Sequence, residues 1–208
     1  RIGEMGGFTY MQFVVPGLIM MAIVTNSYSN VVSSFFGSKF NHSVEELLVS
    51  PIPNYVILMG YVVGGVTRGM FVAVVVTIVS LFFTELHIHS YFVVVVIVLM
   101  TSTLFALAGF INAVFANSFD DISIIPTFVL TPLIYLGGVF YSMDLLPEFW
   151  ANVSKLNPLV YVVNAFRYGV LGVSDVSLTF ALGMFTVFSA IAFTYSLHLL
   201  NSGLRLRQ

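Results

Sequence analysis

Cysteine is absent from the 208 residues, and Lys, Arg, Asp and Glu together make up only 8% of them. Without cysteine there is no disulfide framework, thiolate metal site or cysteine nucleophile. A soluble domain carries about 25% charged residues, so this chain cannot cover a water-facing surface. That excludes a soluble enzyme, a disordered segment and a nucleic-acid binder, and the net charge of −2 implies no anionic partner. The sequence also lacks a nucleophile elbow, a phosphate-binding loop and an HExxH motif, so no catalytic site and no resident cofactor or metal are expected in the chain.

What is present is apolar: 59% of residues are hydrophobic and the mean hydropathy is +1.02. Membrane spans of roughly 20–25 residues fit about five times. Apolar blocks run over about residues 10–36, 55–84, 91–115, 122–141 and 176–200. The run Val93 to Val96 favours strand locally, but a single span in hydrocarbon must satisfy its own backbone, so helix prevails. Pro126 and Pro132 within the fourth block predict a bent helix whose freed carbonyls need rescue by packed neighbours or water. Residues 142–175 mix Asp144, Glu148, Asn152, Lys155, Asn157 and Arg167 with apolar side chains. We read this stretch as short interfacial or re-entrant helices, anchored by Trp150, Tyr161 and Tyr168. The fold class expected is all-α, an integral membrane protein with five transmembrane helices plus these shorter ones. Arg1 to Gly7 is a polar lead-in without the pattern of a signal peptide, and we read the chain as beginning partway through a longer protein. Lys39, Arg205 and Arg207 fall on one face and Arg1, Lys155 and Arg167 on the other, so the positive-inside rule does not decide orientation.

No carboxylate lies inside a span; Glu85, Asp120 and Asp121 sit at edges. Ion-coupled carriers place Asp, Glu or His within the membrane, so a transporter built this way draws its energy from a partner. The segment Ser43 to Ser50 reads as a short helix, opened by an S-x-x-E capping box of Ser43 and Glu46 and stopped by Pro51 and Pro53. Val44, Leu47 and Leu48 share a face, and a two-turn helix must dock to persist. It either fits a groove on a partner or packs on its own spans. Arg68 is the only charge deep in a span; it faces a water-filled route or a polar partner, or snorkels to an interface. Alone it does not name an anionic cargo. Gly60, Gly64 and Arg68 share a face, with Gly65 and Gly69 beside it, giving two small-xxx-small pairs. Asn26, Asn30 and Ser33 form a polar face on the first span, suited to lining a route or to interhelical hydrogen bonds. His87 and His89 with Glu85 offer no third fixed metal ligand and read as a solvated loop.

The run Phe119-Asp-Asp-Ile-Ser-Ile-Ile-Pro-Thr-Phe-Val-Leu-Thr-Pro-Leu-Ile-Tyr-Leu-Gly-Gly-Val-Phe-Tyr141 continues through Leu146-Pro147, Leu156-Asn157-Pro158 and Phe166-Arg167-Tyr168. It resembles the ABC-2 family of transporter permeases, in the branch that includes nodulation-factor exporters. Phe13-Val-Val-Pro-Gly-Leu18 and Glu45-Glu-Leu-Leu-Val-Ser-Pro51 fit the same branch. The resemblance covers essentially the whole chain, residues 1–208, as a single transmembrane domain. It implies a six-span subunit that pairs with a second copy of itself and with two ATP-binding cassette subunits, which use ATP and magnesium. Five spans are present here, and the family's N-terminal interfacial helix and first span have no counterpart.

By the resemblance, residues 38–53 are the coupling-helix loop, with Val44, Glu45, Glu46, Leu47 and Leu48 meeting the ATPase. Asp120 and Asp121 would form a second contact. Residues 142–175 would be the re-entrant external segment, with Tyr141, Pro147, Asn157, Pro158 and Arg167 as an outer gate. Asn26, Asn30, Ser33, Arg68, Pro126 and Pro132 would line the route or dimer interface. Lys39 and the C-terminus would be cytoplasmic, and His87 and Asp144 outside. The implied activity is ATP-driven export of a hydrophobic or amphiphilic substrate (drug, lipid or lipid-linked saccharide) across a bacterial inner membrane, by alternating access. The alternatives are a secondary transporter or channel subunit, or a scaffold that transports nothing.

Overall fold

The computed structural model describes residues 7–86, 88–142 and 147–203. His87, Asp144 and Leu146 and the terminal cations Arg1, Arg205 and Arg207 lie outside the described residues. Four helices are long and apolar enough to cross a membrane: α1 (Tyr10–Phe40), α3 (Asn54–Ser80), α4 (Tyr91–Phe115) and α9 (Leu178–Ser202). Between α1 and α3 lies the short α2 (Ser43–Val49). After α4 come α5 (Asp121–Ile125), a π-helical turn (Pro126–Leu130) and α6 (Thr131–Tyr135), all with helical backbone and continuous as one rod. Then follow α7 (Glu148–Ser154) and α8 (Pro158–Leu171). The long segments alternate in direction, so one end of the bundle gathers α2 and the other gathers α7 and α8.

α1 is the central element, packed against α3, α4 and α8. It opens with a capping box: the Thr9 hydroxyl accepts from the Gln12 amide at 3.4 Å, and the Gln12 side chain accepts from the Thr9 amide at 3.1 Å. Its core face carries Ile19, Ile23, Tyr28, Val31 and Phe35, all at most 2% exposed. Close approach needs small residues at the crossings. A Cβ on Gly109 of α4 would stand 2.5 Å from the Tyr28 carbonyl, and one on Gly65 of α3 would stand 2.6 Å from the Val31 side chain. Gly65 and Gly69 thus form the buried seam with α1, whereas Gly60 has open space around it.

Outward surfaces of α3, α9 and the α5–α6 rod are apolar and exposed, including Phe71, Val74, Ile78, Phe128, Val187 and Ile191. In water such faces drive association; in hydrocarbon they are solvated by lipid. The fourth apolar segment is shorter than the sequence suggests, ending at Tyr135 rather than Tyr141. Gly137 and Gly138 end it, the latter with a φ of +75°. Its 15 residues span about 22 Å, less than the ~30 Å hydrocarbon core. Pro126 opens a π turn, in which both the amide and the hydroxyl of Thr131 bond the Pro126 carbonyl. The Ile122 carbonyl, which Pro126 leaves without its helical donor, accepts from Asn112 Nδ2 at 3.3 Å. That is rescue by a packed neighbour for the first of the two prolines.

Candidate functional site

Three assemblies concentrate the polar chemistry. The first is the α2 end. α1 closes on Asn41, and His42 takes a left-handed conformation (φ 59°) that turns the chain into α2. The expected capping box at Ser43 does not form. His42 is the N-cap, so Ser43 already lies inside the helix, and the N-cap makes no side-chain bond. The stop is as read: the Ser50 amide bonds the Glu46 carbonyl, and Pro51 and Pro53 follow.

Val44 is 2% exposed in the core, and Leu48 packs against it half-buried. Glu45 and Leu47 are half-buried, Glu46 is exposed, and Val49 is 88% exposed. One face therefore holds α2 on its own chain while the other is free. Val49 and Phe40 belong to that free surface and were missed by reasoning from the apolar face alone. Lys39 sets the angle of this end. Its ammonium, 3% exposed, donates to the Val114 and Ala116 carbonyls at 2.9 and 2.8 Å. These are carbonyls at the C-terminus of α4, where a cation suits both the orphan acceptors and the dipole.

The turn that follows α4 reaches the same place. Phe119 packs edge-on against Phe36 at 5.0 Å and against Phe40 at 5.1 Å. Within the turn, Asp121 Oδ2 accepts from the Asn117 and Ser118 amides at 2.8 and 3.1 Å. These bonds, that of Asn117 foremost, hold the carboxyl below its usual range. Asp121 is thus committed to its own turn, whereas Asp120 is exposed.

The second assembly is the α8 end. Asn157 is the N-cap of α8, its Oδ1 accepting from the Leu159 amide at 3.0 Å, and Pro158 takes the first helical position. Asn157 Nδ2 also donates to the Leu133 carbonyl of α6 at 2.7 Å, tying the two elements. Arg167, 1% exposed, donates from Nη2 to the Gly138 carbonyl at 2.8 Å and from Nη1 to Asn164 Oδ1 at 3.4 Å. Its guanidinium lies 3.7 Å from the Phe13 ring centroid. Asp175 attracts it and accepts from the Ser142 hydroxyl at 3.2 Å. The structure thus brings together four of the expected gate residues, Tyr141, Asn157, Pro158 and Arg167, since the Tyr141 hydroxyl also bonds the Leu136 carbonyl beside this turn. Pro147 is exposed. Phe13, Asn164 and Asp175 complete the network; distance in sequence hid Phe13, whereas Asn164 lies only three residues before Arg167. Gly17 explains more of the Phe13 to Leu18 motif, because a Cβ there would stand 2.9 Å from Val139.

The third assembly is a polar face near mid-depth. Asn26, Asn30 and Ser33 fall on the less-buried side of α1. Asn26 Nδ2 bonds its own Ala22 carbonyl, and Ser33 bonds the Ser29 carbonyl. A Cβ on Gly64 would stand 3.5 Å from Asn30 Oδ1, so the Gly60–Gly64–Arg68 face of α3 borders this stripe. Arg68 is exposed on that face. Pro126 is half-buried and Pro132 exposed on the α5–α6 rod.

A bundle of apolar helices with an extramembrane helix docked at one end is the architecture of a multi-pass membrane subunit. The ABC-2 type transporter family matches residues 2–171, and the chain belongs to that family. It is 56% identical over 207 residues (all of this chain, 81% of the relative) to the inner membrane transport permease YadH of Escherichia coli strain K12. It is 22% identical over 201 residues (96% of this chain, 78% of the relative) to nodulation protein J of Rhizobium leguminosarum bv. viciae. These similarities and the apolar helices support a membrane transporter subunit of the inner membrane.

Proposed function

We propose that the chain is the permease subunit of an ATP-driven exporter, working as a homodimer with two copies of an ATP-binding cassette subunit that holds the ATP and magnesium. The observation that carries this reading is α2: a two-turn helix fixed on its inner face by Val44 and Leu48, with Glu46 and Val49 outward. A helix that short is retained only by docking, and a face left free after docking is available to a partner. The free face is where the ATPase sits, with Phe40 and Asp120 beside it. The last turn of α9, where Asn201 accepts from Asn54 Nδ2 at 2.7 Å, belongs to this same end, which we read as cytoplasmic.

The mechanism follows from rigidity. α1 is a single helix of 31 residues, about 46 Å long, joined to α2 at one end and to the Phe13–Arg167 contact at the other. Lys39 couples its α2 end to α4. ATP-driven closure of the ATPase pair tilts α2, and α1 and α4 carry that tilt to the α8 end, where the network around Arg167 governs the outer mouth. The lack of carboxylates within the spans supports an external energy source over ion coupling. The substrate is hydrophobic or amphiphilic, and the route follows the polar face of α1 and the dimer interface.

The test is purification of the full-length protein from its native membrane, with assay of ATP turnover in what accompanies it. A stoichiometric ATP-binding subunit with vanadate-sensitive turnover is the expected result. A permease that purifies alone, without nucleotide-dependent activity, would return the chain to a secondary carrier or a scaffold.

A further inference from the structure

We propose that Arg68 is a recognition residue in the transport route, and that the substrate it recognises is an amphiphile with an anionic head, phosphate or carboxylate. This deepens the permease reading and rests on it. Arg68 stands one residue from the midpoint of α3. It is exposed, and no hydrogen bond or ion pair engages it among the described residues. A guanidinium at mid-depth facing lipid tails is heavily penalised, so this face of α3 meets something polar.

The described spanning helices of a second copy hold no counter-charge. Its nine acidic residues are Glu4, Glu45, Glu46, Glu85, Asp120, Asp121, Asp144, Glu148 and Asp175. None lies in α1, α3, α4 or α9, and Asp121 only opens α5. Among the described residues, no carboxylate lies within a spanning helix of either copy. The anion that pairs with Arg68 comes from the molecule in the route.

The surroundings fit an amphiphile. Gly64 sits 3.5 Å, measured from its ideal Cβ, from Asn30 Oδ1, and the helices run antiparallel, with Gly65 against Val31 and Gly69 against Ser27. One turn beyond Gly64, Arg68 is therefore level with Asn26. Both amides are half-exposed, and the Asn30 side chain has no hydrogen-bond partner among the described residues. A guanidinium matches phosphate or carboxylate geometry, and the Asn26 and Asn30 amides make its surroundings polar, although Asn26 Nδ2 already donates to the Ala22 carbonyl. Gly60 and Gly64 leave the α2 side of this face without side chains, giving a headgroup room. On the other side, Phe71, Val75 and Val79 lie three, seven and eleven residues past Arg68, on the same face and exposed, and offer an apolar track for a tail.

The experiment uses full-length protein in phosphatidylcholine nanodiscs, with and without its ATPase. Photoreactive diazirine amphiphiles of one chain length carry a phosphate, a carboxylate, a hydroxyl or a trimethylammonium head. The phosphate or carboxylate probe is expected to label peptides of α1 and α3 saturably, and the hydroxyl and trimethylammonium probes are not. Arg68→Gln should raise the concentration for half-saturation about tenfold or more, and Arg68→Lys, which keeps the charge but not the fork, should recover part of the wild-type affinity. The wild-type probe series stands even if the Gln variant fails to fold. Labelling indifferent to head charge, or unchanged in Arg68→Gln, overturns the proposal. Charge-blind labelling beside vigorous ATP turnover sinks the anion site but not the permease. Arg68-dependent labelling in a protein that recruits no ATPase sinks the ATP-driven reading but not the site.

Discussion

Lys39 and Arg167 are buried cations that each donate to backbone carbonyl oxygens distant in sequence. Read along the chain, Lys39 is a loop charge that marks a face. Folded, it clamps the C-terminus of α4, using acceptors 75 and 77 residues away. No local pattern signals that partnership. Asn112 is similar: its rescue of the Ile122 carbonyl is legible only once Pro126 and α4 are placed side by side. Lys39→Met leaves two carbonyls at the end of α4 without this donor. It should cost about 1–3 kcal/mol, read as a lowered thermal unfolding midpoint in detergent, with Lys39→Arg recovering part of the loss. An unshifted midpoint in Lys39→Met would mean that water serves those carbonyls equally well.

At the scale of elements, the sequence marks ends well where proline sets them. Pro51 and Pro53 end α2, and Asn157-Pro158 opens α8 with a cap and a first-turn proline. It marks ends poorly where hydropathy continues through a turn, as from Leu136 to Phe140, where Gly138 redirects the backbone. The glycine pattern on α3 shows both sides. Two small-residue pairs are legible, but their burial differs: Gly65 and Gly69 meet α1 and α4, while Gly60 and Gly64 stay exposed. This yields a prediction with opposite signs. Gly109→Ala, whose Cβ would press 2.5 Å from the Tyr28 carbonyl, should destabilise the bundle by about 1–3 kcal/mol. Gly60→Ala, in open space on a helix, should be neutral or stabilise by up to ~1 kcal/mol. Thermal denaturation of both in one detergent checks the ordering; equal effects would refute the packing described here.

For the molecule as a whole, α2 and the Asn117–Asp121 turn converge on one end, the Arg167 network on the other, and α1 connects them. The chain's lack of cysteine makes this arrangement directly measurable, because a single introduced thiol is the only one the 208 residues contain. Val49→Cys places it on the free face of α2, and Val44→Cys places it on the buried face. The decisive measurement is maleimide labelling of these two variants in the full-length protein, with and without the ATP-binding subunit. Rapid labelling of Val49→Cys alone, strong protection when the ATPase is bound, and little labelling of Val44→Cys in either state are expected. Labelling of Val49→Cys at the same rate with the ATPase bound would contradict the central claim that the free face of α2 is the coupling surface.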